Sequence, residues 1–329
     1  MPMPPSGPSP PALAAGLDLP LPGEARALAE GVARAFGPGA AALIHYGSRA
    51  HGSGAEPESA WDFIVVLDEA GPGYRALAGS GAARLSPGLA AVLHRALPPN
   101  VVAVRPPGLP GAPLAKCAVV TRRELARGCA EHPRDHFLLG RLFQDVRLAW
   151  ARDPGARVEA LSAVAAARAA TFGWVRTRLA ARFSAEDYLT TLLAVSYAGE
   201  VRPESPGRIE VLVEAQRRVL LPILAHLLDS LAADGVLARE GDRYRDPRPP
   251  RIRERIGWDA YFLGSKLRNT LRWPKYVLLY DGWLDYVVRK VERRCGVRIE
   301  LSALERRWPL LFLWPRLLRF LLLRPRPRA

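Results

Sequence analysis

The chain has 329 residues, and 49% of them are hydrophobic, so there is room for two domains with sizeable cores. Of its net charge of +15, +12 lies after position 250, where 19 basic residues face 7 acidic ones, and such a segment attracts nucleic acid or an anionic lipid surface. A secretory leader and a membrane span are not expected, because no charged, apolar start and no uninterrupted apolar stretch of about 18 residues occurs.

The first part of the chain predicts an α/β domain. Residues 1–22 are rich in proline and predict a disordered lead-in. An α/β sheet domain is expected over residues 23–122, because a helix and four strands alternate with Pro/Gly loops there. The helix is predicted at 25–36, and the strands at 40–46, 62–67, 101–105 and 116–121. The three cysteines, Cys117, Cys129 and Cys295, fit no zinc spacing and indicate a reducing compartment.

The middle of the chain, residues 123–250, predicts a mainly helical domain. Its helices are expected at 123–129, 137–150, 158–182, 185–197, 209–217 and 222–234. Ser184, with Asp187 three residues later, predicts a helix N-cap. Residues 235–244 predict a hairpin, and a helix followed by such a hairpin is typical of a winged-helix module.

The last segment, residues 251–329, predicts a basic, Trp-rich extension that associates with a membrane. Residues 308–324 contain two prolines and three arginines, so this run is too interrupted to span a bilayer. It suits a segment in the headgroup plane, where Trp and Leu are buried and Arg reaches lipid phosphates. The alternative is a C-terminal helix packed on the core. We expect membrane or lipid contacts from a set of five side chains: Lys275, Trp308, Trp314, Arg316 and Arg319.

The most informative stretch is the turn between the first two predicted strands. Gly47 and Ser48 end one strand, a loop of small residues follows, and Asp62 begins the next strand. Glycines let backbone N–H groups approach a triphosphate, and the serine adds a hydroxyl. A carboxylate on the adjacent strand can hold the Mg²⁺ that neutralises the phosphates. This pattern favours nucleotidyl transfer over an ordinary strand–turn–strand.

Polymerase-β-like nucleotidyltransferases carry a second carboxylate two residues from the first, so that both share a strand face. In this chain that second carboxylate is missing. Ile64 stands two residues after Asp62, and Ala60 stands two residues before it.

With a single acid at this position and several further motifs in order, the chain resembles the mitochondrial CDP-diacylglycerol synthase family. This family is the translocator assembly and maintenance type of phosphatidate cytidylyltransferase, and the chain would be a bacterial relative. The matching stretches are Tyr46-Gly47-Ser48-Arg49, Asp62-Phe63-Ile64, Lys116-Cys117-Ala118-Val119, Leu139-Gly140-Arg141-Leu142 and Ser196-Tyr197-Ala198-Gly199-Glu200-Val201-Arg202. The order and spacing agree over about residues 40–220. Three positions depart from the pattern: Arg49 replaces a loop glycine, Gln144 stands in place of a lysine, and Glu200 in place of an aspartate.

The resemblance implies a Mg²⁺-dependent reaction in which CTP and phosphatidic acid give CDP-diacylglycerol and pyrophosphate. The expected catalytic residues are Asp62, Lys116 and Glu200, with Asp62 and Glu200 binding the metal. The expected nucleotide-binding residues are Tyr46, Gly47, Ser48, Arg49, Arg141 and Arg202. Asp68 is a reserve metal ligand.

The resemblance further implies a cytoplasmic enzyme, peripheral on the inner face of the cell membrane, that meets phosphatidic acid in an anionic lipid surface. No specific nucleic-acid partner is expected, because neither a double-stranded RNA module nor a sheet with exposed aromatic residues is visible. Two alternatives stay open. The chain could transfer a nucleotide to RNA, protein or a small molecule, or it could be a catalytically degenerate sensor of nucleotide or lipid.

Overall fold

The computed structural model describes residues 10–52, 60–111, 113–199, 207–280 and 298–307, with positions 282, 284, 288, 292 and 312. Its centre is a five-stranded mixed sheet in the order β3-β4-β2-β1-β5. The strands are β1 (Ala40–Tyr46), β2 (Trp61–Leu67), β3 (Asn100–Val104), β4 (Ala115–Thr121) and β5 (Arg147–Ala151). Only β2 and β4 run parallel, whereas the other three pairings are antiparallel. The first four strands confirm the predicted ones within one or two residues.

Helices cover both faces of this sheet, because its strands carry apolar side chains on both sides. The helices that accompany the sheet are α1 (Pro10–Leu13), α2 (Gly23–Phe36), α3 (Ser48–His51), α4 (Ala70–Gly79), α5 (Pro87–Ala96), α6 (Arg122–Gly128), α7 (Leu139–Leu142) and α8 (Pro154–Ala169). Phe63 and Val65 of β2 pack with α2 and α4 on one face, and Ile64 and Val66 pack with α6 and α8 on the other. Cys117 and Cys129 are buried free thiols in these cores.

The prediction of one helix over 137–150 is wrong. The chain forms the short α7 and then β5, which pairs with β1 through Leu43 opposite Trp150. An apolar run of this length fits either a helix or a buried strand, and the open edge of β1 selects the strand. The sheet therefore continues beyond residue 122, where the sequence places the end of the first domain.

The lead-in also differs from the prediction of a disordered segment over residues 1–22. From position 10 onward it contains α1 and packs on the core, where Leu13 and Leu17 are buried. Arg168, fully buried on α8, donates hydrogen bonds to the carbonyl oxygens of Leu13 and Ala15 at 2.6 and 2.8 Å. These contacts offset the entropy of ordering a proline-rich segment.

The helical part contains α9 (Thr171–Val175), α10 (Ala185–Ala198), α11 (Arg208–Ala233) and α12 (Ile252–Leu279), and further on α13 (Ala303–Arg307). A small sheet in the order β6-β8-β7 accompanies them, formed by β6 (Arg182–Phe183), β7 (Ala238–Glu240) and β8 (Arg243–Arg245). The predicted hairpin is thus confirmed, and Ser184 caps α10 in a capping box with Asp187. Within the described residues, no helix combines the length and the apolar character needed to cross a bilayer.

Two predicted helices, 209–217 and 222–234, are in fact the single helix α11 with Pro222 in its interior. Proline removes one backbone donor and strains the preceding turn. Leu220, Ile223, Leu224 and Leu227 are all buried around this point, so tertiary packing holds the helix together.

Candidate functional site

Three predicted site residues lie side by side at one end of the large sheet. In the strand register, Tyr46 of β1 is opposite Asp62 of β2, and Asp62 is level with Lys116 of β4. Residues that are level on neighbouring strands place their side chains on the same face. The sequence pattern therefore forms one continuous row of a phenol, a carboxylate and an ammonium group.

Asp62 and Lys116 form an ion pair in this row. The Lys116 Nζ lies 3.2 Å from Asp62 Oδ1, and the side chains keep 30% and 25% of their surface exposed. The Oδ1 atom is itself buried and makes no aligned hydrogen bond. A partly exposed carboxylate with spare acceptor capacity can take a metal ion or orient a phosphate-binding lysine.

Gly47 forms the floor next to this carboxylate. Its backbone has φ +86° and ψ −170°, a conformation that is almost confined to glycine. A Cβ at this position would lie 3.0 Å from Asp62 Oδ2. The backbone conformation requires glycine here, and the missing Cβ lets the turn lie directly against the acid. Ser48 then begins α3, and residues 53–59 of the following loop lie outside the described part of the chain.

Arg141 approaches the row from α7. Its Nη1 donates to the Phe137 carbonyl oxygen at 2.7 Å, and its Cζ lies 3.8 Å from the centre of the Phe137 ring. The same Cζ lies 5.8 Å from the centre of the Tyr46 ring, which places a second cation next to the row. The sequence did not single out Phe137, although its position four residues before Arg141 matches the spacing of neighbours on a helix.

The environment of Tyr46 reflects this charge arrangement. Burial raises the pKa of the Tyr46 phenol above its usual range, and the nearby Asp62 carboxylate adds to this effect, while Lys116 and Arg141 oppose it. Tyr46 therefore stays protonated at neutral pH. It can pack and donate a hydrogen bond in the row, but it does not act as a base.

Arg49, a predicted nucleotide-binding residue, lies outside the row of Tyr46, Asp62 and Lys116. Its guanidinium stacks on the Trp61 ring, with Cζ 4.4 Å from the ring centre. Trp61 and Phe63 belong to the opposite face of the sheet, together with His45, whose Nδ1 donates to the Asp62 carbonyl oxygen at 3.0 Å. Burial lowers the pKa of His45, so this imidazole is neutral and packs in the core. Arg49 thus covers the back of the Asp62 strand in this structure.

Asp68, the reserve metal ligand, does not join the row. It follows the far end of β2 and pairs with Arg122 at 2.7 Å and Arg152 at 2.6 Å. These two guanidinium groups, Arg152 first, hold the pKa of the Asp68 carboxyl below its usual range. Asp68 stands six positions after Asp62, which is about 20 Å along an extended chain.

Several predicted residues fall outside the described part of the chain. These are Glu200, Arg202, Trp308, Trp314, Arg316 and Arg319. Lys275 is described, and it is buried on α12, where its Nζ donates to the carbonyl oxygens of Leu97 and, at 3.2 Å, Pro99. In this structure Lys275 therefore anchors α12 to the loop before β3.

Gln144, which stands in place of a family lysine, is part of a buried polar cluster. Its amide oxygen accepts hydrogen bonds from Gln216 on α11 at 3.3 Å and from the Tyr197 hydroxyl at 3.4 Å. The amide oxygen of Gln216 accepts from the backbone N–H of Asp145 at 3.0 Å. This cluster ties the end of α10, where the sequence continues to Glu200, to the segment that carries Arg141.

The site as described thus contains Tyr46, Gly47, Asp62, Lys116 and Arg141. Among the described residues, no group of three or more His, Cys, Asp or Glu side chains could hold a metal ion. One acid beside two cations and a glycine turn is an arrangement suited to a phosphorylated ligand. No protein-family model matches the chain, and no curated protein matches it.

Proposed function

We propose that the chain is a nucleotidyltransferase whose nucleoside triphosphate binds at the sheet end formed by Gly47, Asp62 and Lys116. The observation that carries the proposal is the partly exposed Asp62 carboxylate, held between the Lys116 ammonium at 3.2 Å and a glycine whose Cβ, if present, would lie 3.0 Å from Oδ2. A backbone floor, an acid and a lysine on three adjacent elements are the groups that phosphoryl transfer uses for positioning and charge neutralisation.

The donor set fits a Mg²⁺ ion that takes most of its ligands from outside the protein. Magnesium is commonly bound by one or two carboxylates together with substrate phosphates and water. Asp62 offers one carboxylate, whose Oδ1 atom faces Lys116 in this structure, and Glu200 is the proposed second ligand. When bound, the metal would neutralise phosphate charge at this position.

The nucleotide is proposed to be CTP and the acceptor phosphatidic acid, because the motifs around Tyr46, Asp62, Lys116 and Arg141 resemble those of phosphatidate cytidylyltransferases. A phosphate oxygen of the lipid attacks the α-phosphorus of CTP, the bond from that phosphorus to the bridging oxygen breaks, and pyrophosphate leaves with the bonding electrons. The net charge of +12 after position 250 supports an acceptor in an anionic surface, on the inner face of the cell membrane.

Each side chain has a distinct task in this scheme. Gly47 and Ser48 present backbone N–H groups and a hydroxyl to the β- and γ-phosphates. Lys116 and Arg141 bind the phosphate oxygens on which negative charge accumulates, and Arg202 is the proposed third cation. Tyr46 remains protonated and fixes the edge of the row.

The helical part is proposed to be a winged-helix module. The supporting feature is the order strand, helix, helix, hairpin, in which β6 pairs with β8 and β8 with β7. Its long helix α11 reaches the site segment through Gln216 and Gln144. We assign this module the task of positioning the Arg141 segment and the residues that follow α10.

A second candidate function is a catalytically degenerate nucleotide sensor. The observation that favours it is that Asp62 is the only acid in the described row and already pairs with Lys116. Such a protein would bind nucleotide through the cations and the glycine turn and would not need a metal.

The test is an assay with radiolabelled CTP and vesicles that contain phosphatidic acid, with Mg²⁺ present. Wild type is expected to form CDP-lipid and pyrophosphate, and Asp62→Asn to lose at least about 100-fold in turnover, because the carboxylate proposed to hold the Mg²⁺ is gone. Asp68→Asn is the matched control, since Asp68 follows the same strand at its far end, and it should keep wild-type turnover.

If wild type forms no CDP-lipid, or if Asp62→Asn is as active as Asp68→Asn, the proposal is wrong. Calorimetric titration with CTP separates the sensor from the enzyme. Binding that is the same with Mg²⁺ and with EDTA, without turnover, would support the sensor. Transfer of label to RNA, protein or a small molecule instead of lipid would assign another acceptor.

A further inference from the structure

The outward side of α12 carries an uninterrupted line of apolar residues. Its members follow one another at intervals of four, four and three: Ile252, Ile256, Ala260, Leu263, Leu267, Leu271, Pro274 and Leu278. We call this set the α12 ridge. All eight residues are exposed, and Leu263 keeps 69% of its surface accessible, Leu267 61% and Leu271 57%. Scattered single apolar side chains on a surface are ordinary, but a continuous line on one helix marks an interaction site.

The opposite side of α12 is fixed to the protein, so the helix cannot rotate to hide this ridge. Ser265 is fully buried, and its hydroxyl accepts a hydrogen bond from the His136 N–H at 2.9 Å. Arg272 is buried and pairs with Asp135 at 2.6 Å, and its Nε donates to the Pro98 carbonyl oxygen at 3.0 Å. Phe262 packs edge-on against Trp174. One face of α12 therefore packs on the protein, and the opposite face carries the exposed ridge.

The spacing makes the ridge straight. Intervals of four, four and three repeat every 11 residues, or about 3.67 residues per turn, which is close to the 3.6 of an undistorted helix. The line thus stays on one side of α12 from Ile252 to Leu278, a length of about 39 Å. A straight, narrow line of this length fits a planar surface better than a concave pocket.

The charges beside the ridge indicate which surface this is. Because successive residues of a helix are about 100° apart, Arg255 and Lys266 lie along one side of the ridge and Arg253 along the other. The acid beside the ridge, Asp259, is paired with Arg178. A second copy of the same helix would bring like charges together, whereas an anionic surface would bind them. Trp273 also lies beside the ridge, and tryptophan is enriched where protein meets lipid headgroups.

We propose that the α12 ridge lies in the headgroup region of an anionic bilayer and positions the protein on the membrane. This inference deepens the proposed function and rests on it for the lipid acceptor. It differs from the membrane contact expected of residues 308–324, because the ridge lies on a helix that is fixed to the loop before β3 through Arg272 and Lys275. Docking of this helix would hold the Asp62 row at a constant orientation to the lipid surface.

The experiment is co-sedimentation with vesicles of phosphatidylcholine alone and of phosphatidylcholine with phosphatidic acid. Wild type is expected to pellet with the anionic vesicles. The double variant Leu263→Glu/Leu267→Glu should bind them at least about tenfold more weakly, because two apolar contacts are replaced by charges that anionic lipid repels. The matched control is Val92→Glu/Val158→Glu, which changes two exposed valines on α5 and α8 that are 65% and 59% accessible, and it should pellet like wild type.

Turnover with a short-chain, water-soluble phosphatidate separates this inference from the proposed function. If both hold, the ridge variant keeps wild-type turnover on the soluble substrate and loses it on vesicles. If only the proposed function fails, the ridge variant still loses vesicle binding, although no protein turns over. Unchanged vesicle binding by the ridge variant would overturn the inference. A dimer in light scattering that Leu263→Glu/Leu267→Glu converts to a monomer would also overturn it, since the ridge would then contact a second copy.

Discussion

Asp62 and Lys116 occupy level positions on the two parallel strands of the sheet, with Nζ 3.2 Å from Oδ1. These residues are 54 positions apart in the sequence, and the parallel register alone brings them together. The lysine holds the acid in place when no ligand is bound, and the same lysine is the proposed phosphate-binding group. Experiments can separate the structural role of Lys116 from its proposed role in binding phosphate.

Lys116→Met is expected to destabilise the protein, because it leaves a largely buried carboxylate without its cation. In a double-mutant cycle with Asp62→Asn, denaturant unfolding should give a coupling of about 1 kcal/mol. CTP binding, measured by calorimetry, should behave differently. If Lys116 contacts the phosphates, the double variant regains stability but still binds CTP at least about tenfold more weakly than Asp62→Asn alone. Equal CTP affinity in these two variants would assign Lys116 a structural role only.

Gly47→Ala is expected to reduce both stability and turnover. The backbone at Gly47 is almost confined to glycine, so alanine should cost about 1–3 kcal/mol, and its Cβ would push against Asp62. Gly37→Ala is a close control, because Gly37 has φ +74° and ψ −167° and its Cβ would lie 3.1 Å from Ala76, away from the site. Both variants should lose similar stability in denaturant titrations. Only Gly47→Ala should lower turnover at a temperature where each is folded.

The stability of the α12 anchor should depend on pH through Lys275. Burial, and next the neighbouring Arg272, lower the pKa of Lys275 to about 7. The unfolded chain, whose lysine has a pKa of about 10.4, binds more protons than the folded one between these two values, so stability rises with pH in that window. The expected slope is at most about 1.4 kcal/mol per pH unit, and it vanishes below pH 7, where both states are protonated.

Denaturant unfolding between pH 7 and 9.5 measures this slope. Lys275→Met should reduce it, whereas Lys266→Met, the same change at a half-buried lysine of the same helix, should retain it. If both variants keep the wild-type slope, Lys275 does not control α12 docking.

Arg168→Met should release the N-terminal segment. The guanidinium donates to the carbonyl oxygens of Leu13, Ala15, Phe143 and Gln144, all at 2.6–3.2 Å, and their loss should cost about 3 kcal/mol or more. Hydrogen exchange should rise at the Leu148 amide, which donates to the Leu17 carbonyl oxygen at 2.9 Å.

Arg157→Met is the matched control for this release. Arg157 contacts the same segment through an exposed ion pair with Asp18 at 2.6 Å, and such pairs contribute about 0–1 kcal/mol. Exchange at Leu148 should stay near wild type in this variant. Equal exchange in the Arg168 and Arg157 variants would show that the apolar contacts of Leu13 and Leu17 hold the segment without Arg168.

The sequence by itself determined the elements that depend on residues close together in the chain. The first four strands, the capping box at Ser184 and the hairpin after α11 are confirmed, because apolar alternation, a cap residue and turn glycines each act within a few positions. It also identified Gly47 and Asp62 as a pair worth attention, since a glycine turn and a single acid at strand ends are visible in one dimension.

Only the tertiary structure decided the features that depend on distant partners. The open edge of β1 made residues 147–151 a strand, and core packing carried α11 through Pro222. The strand register placed Lys116 beside Asp62, and the docking of α12 turned one of its faces inward and left the ridge outward. A periodic pattern shows that a helix has an apolar side, but only its packing shows whether that side is covered.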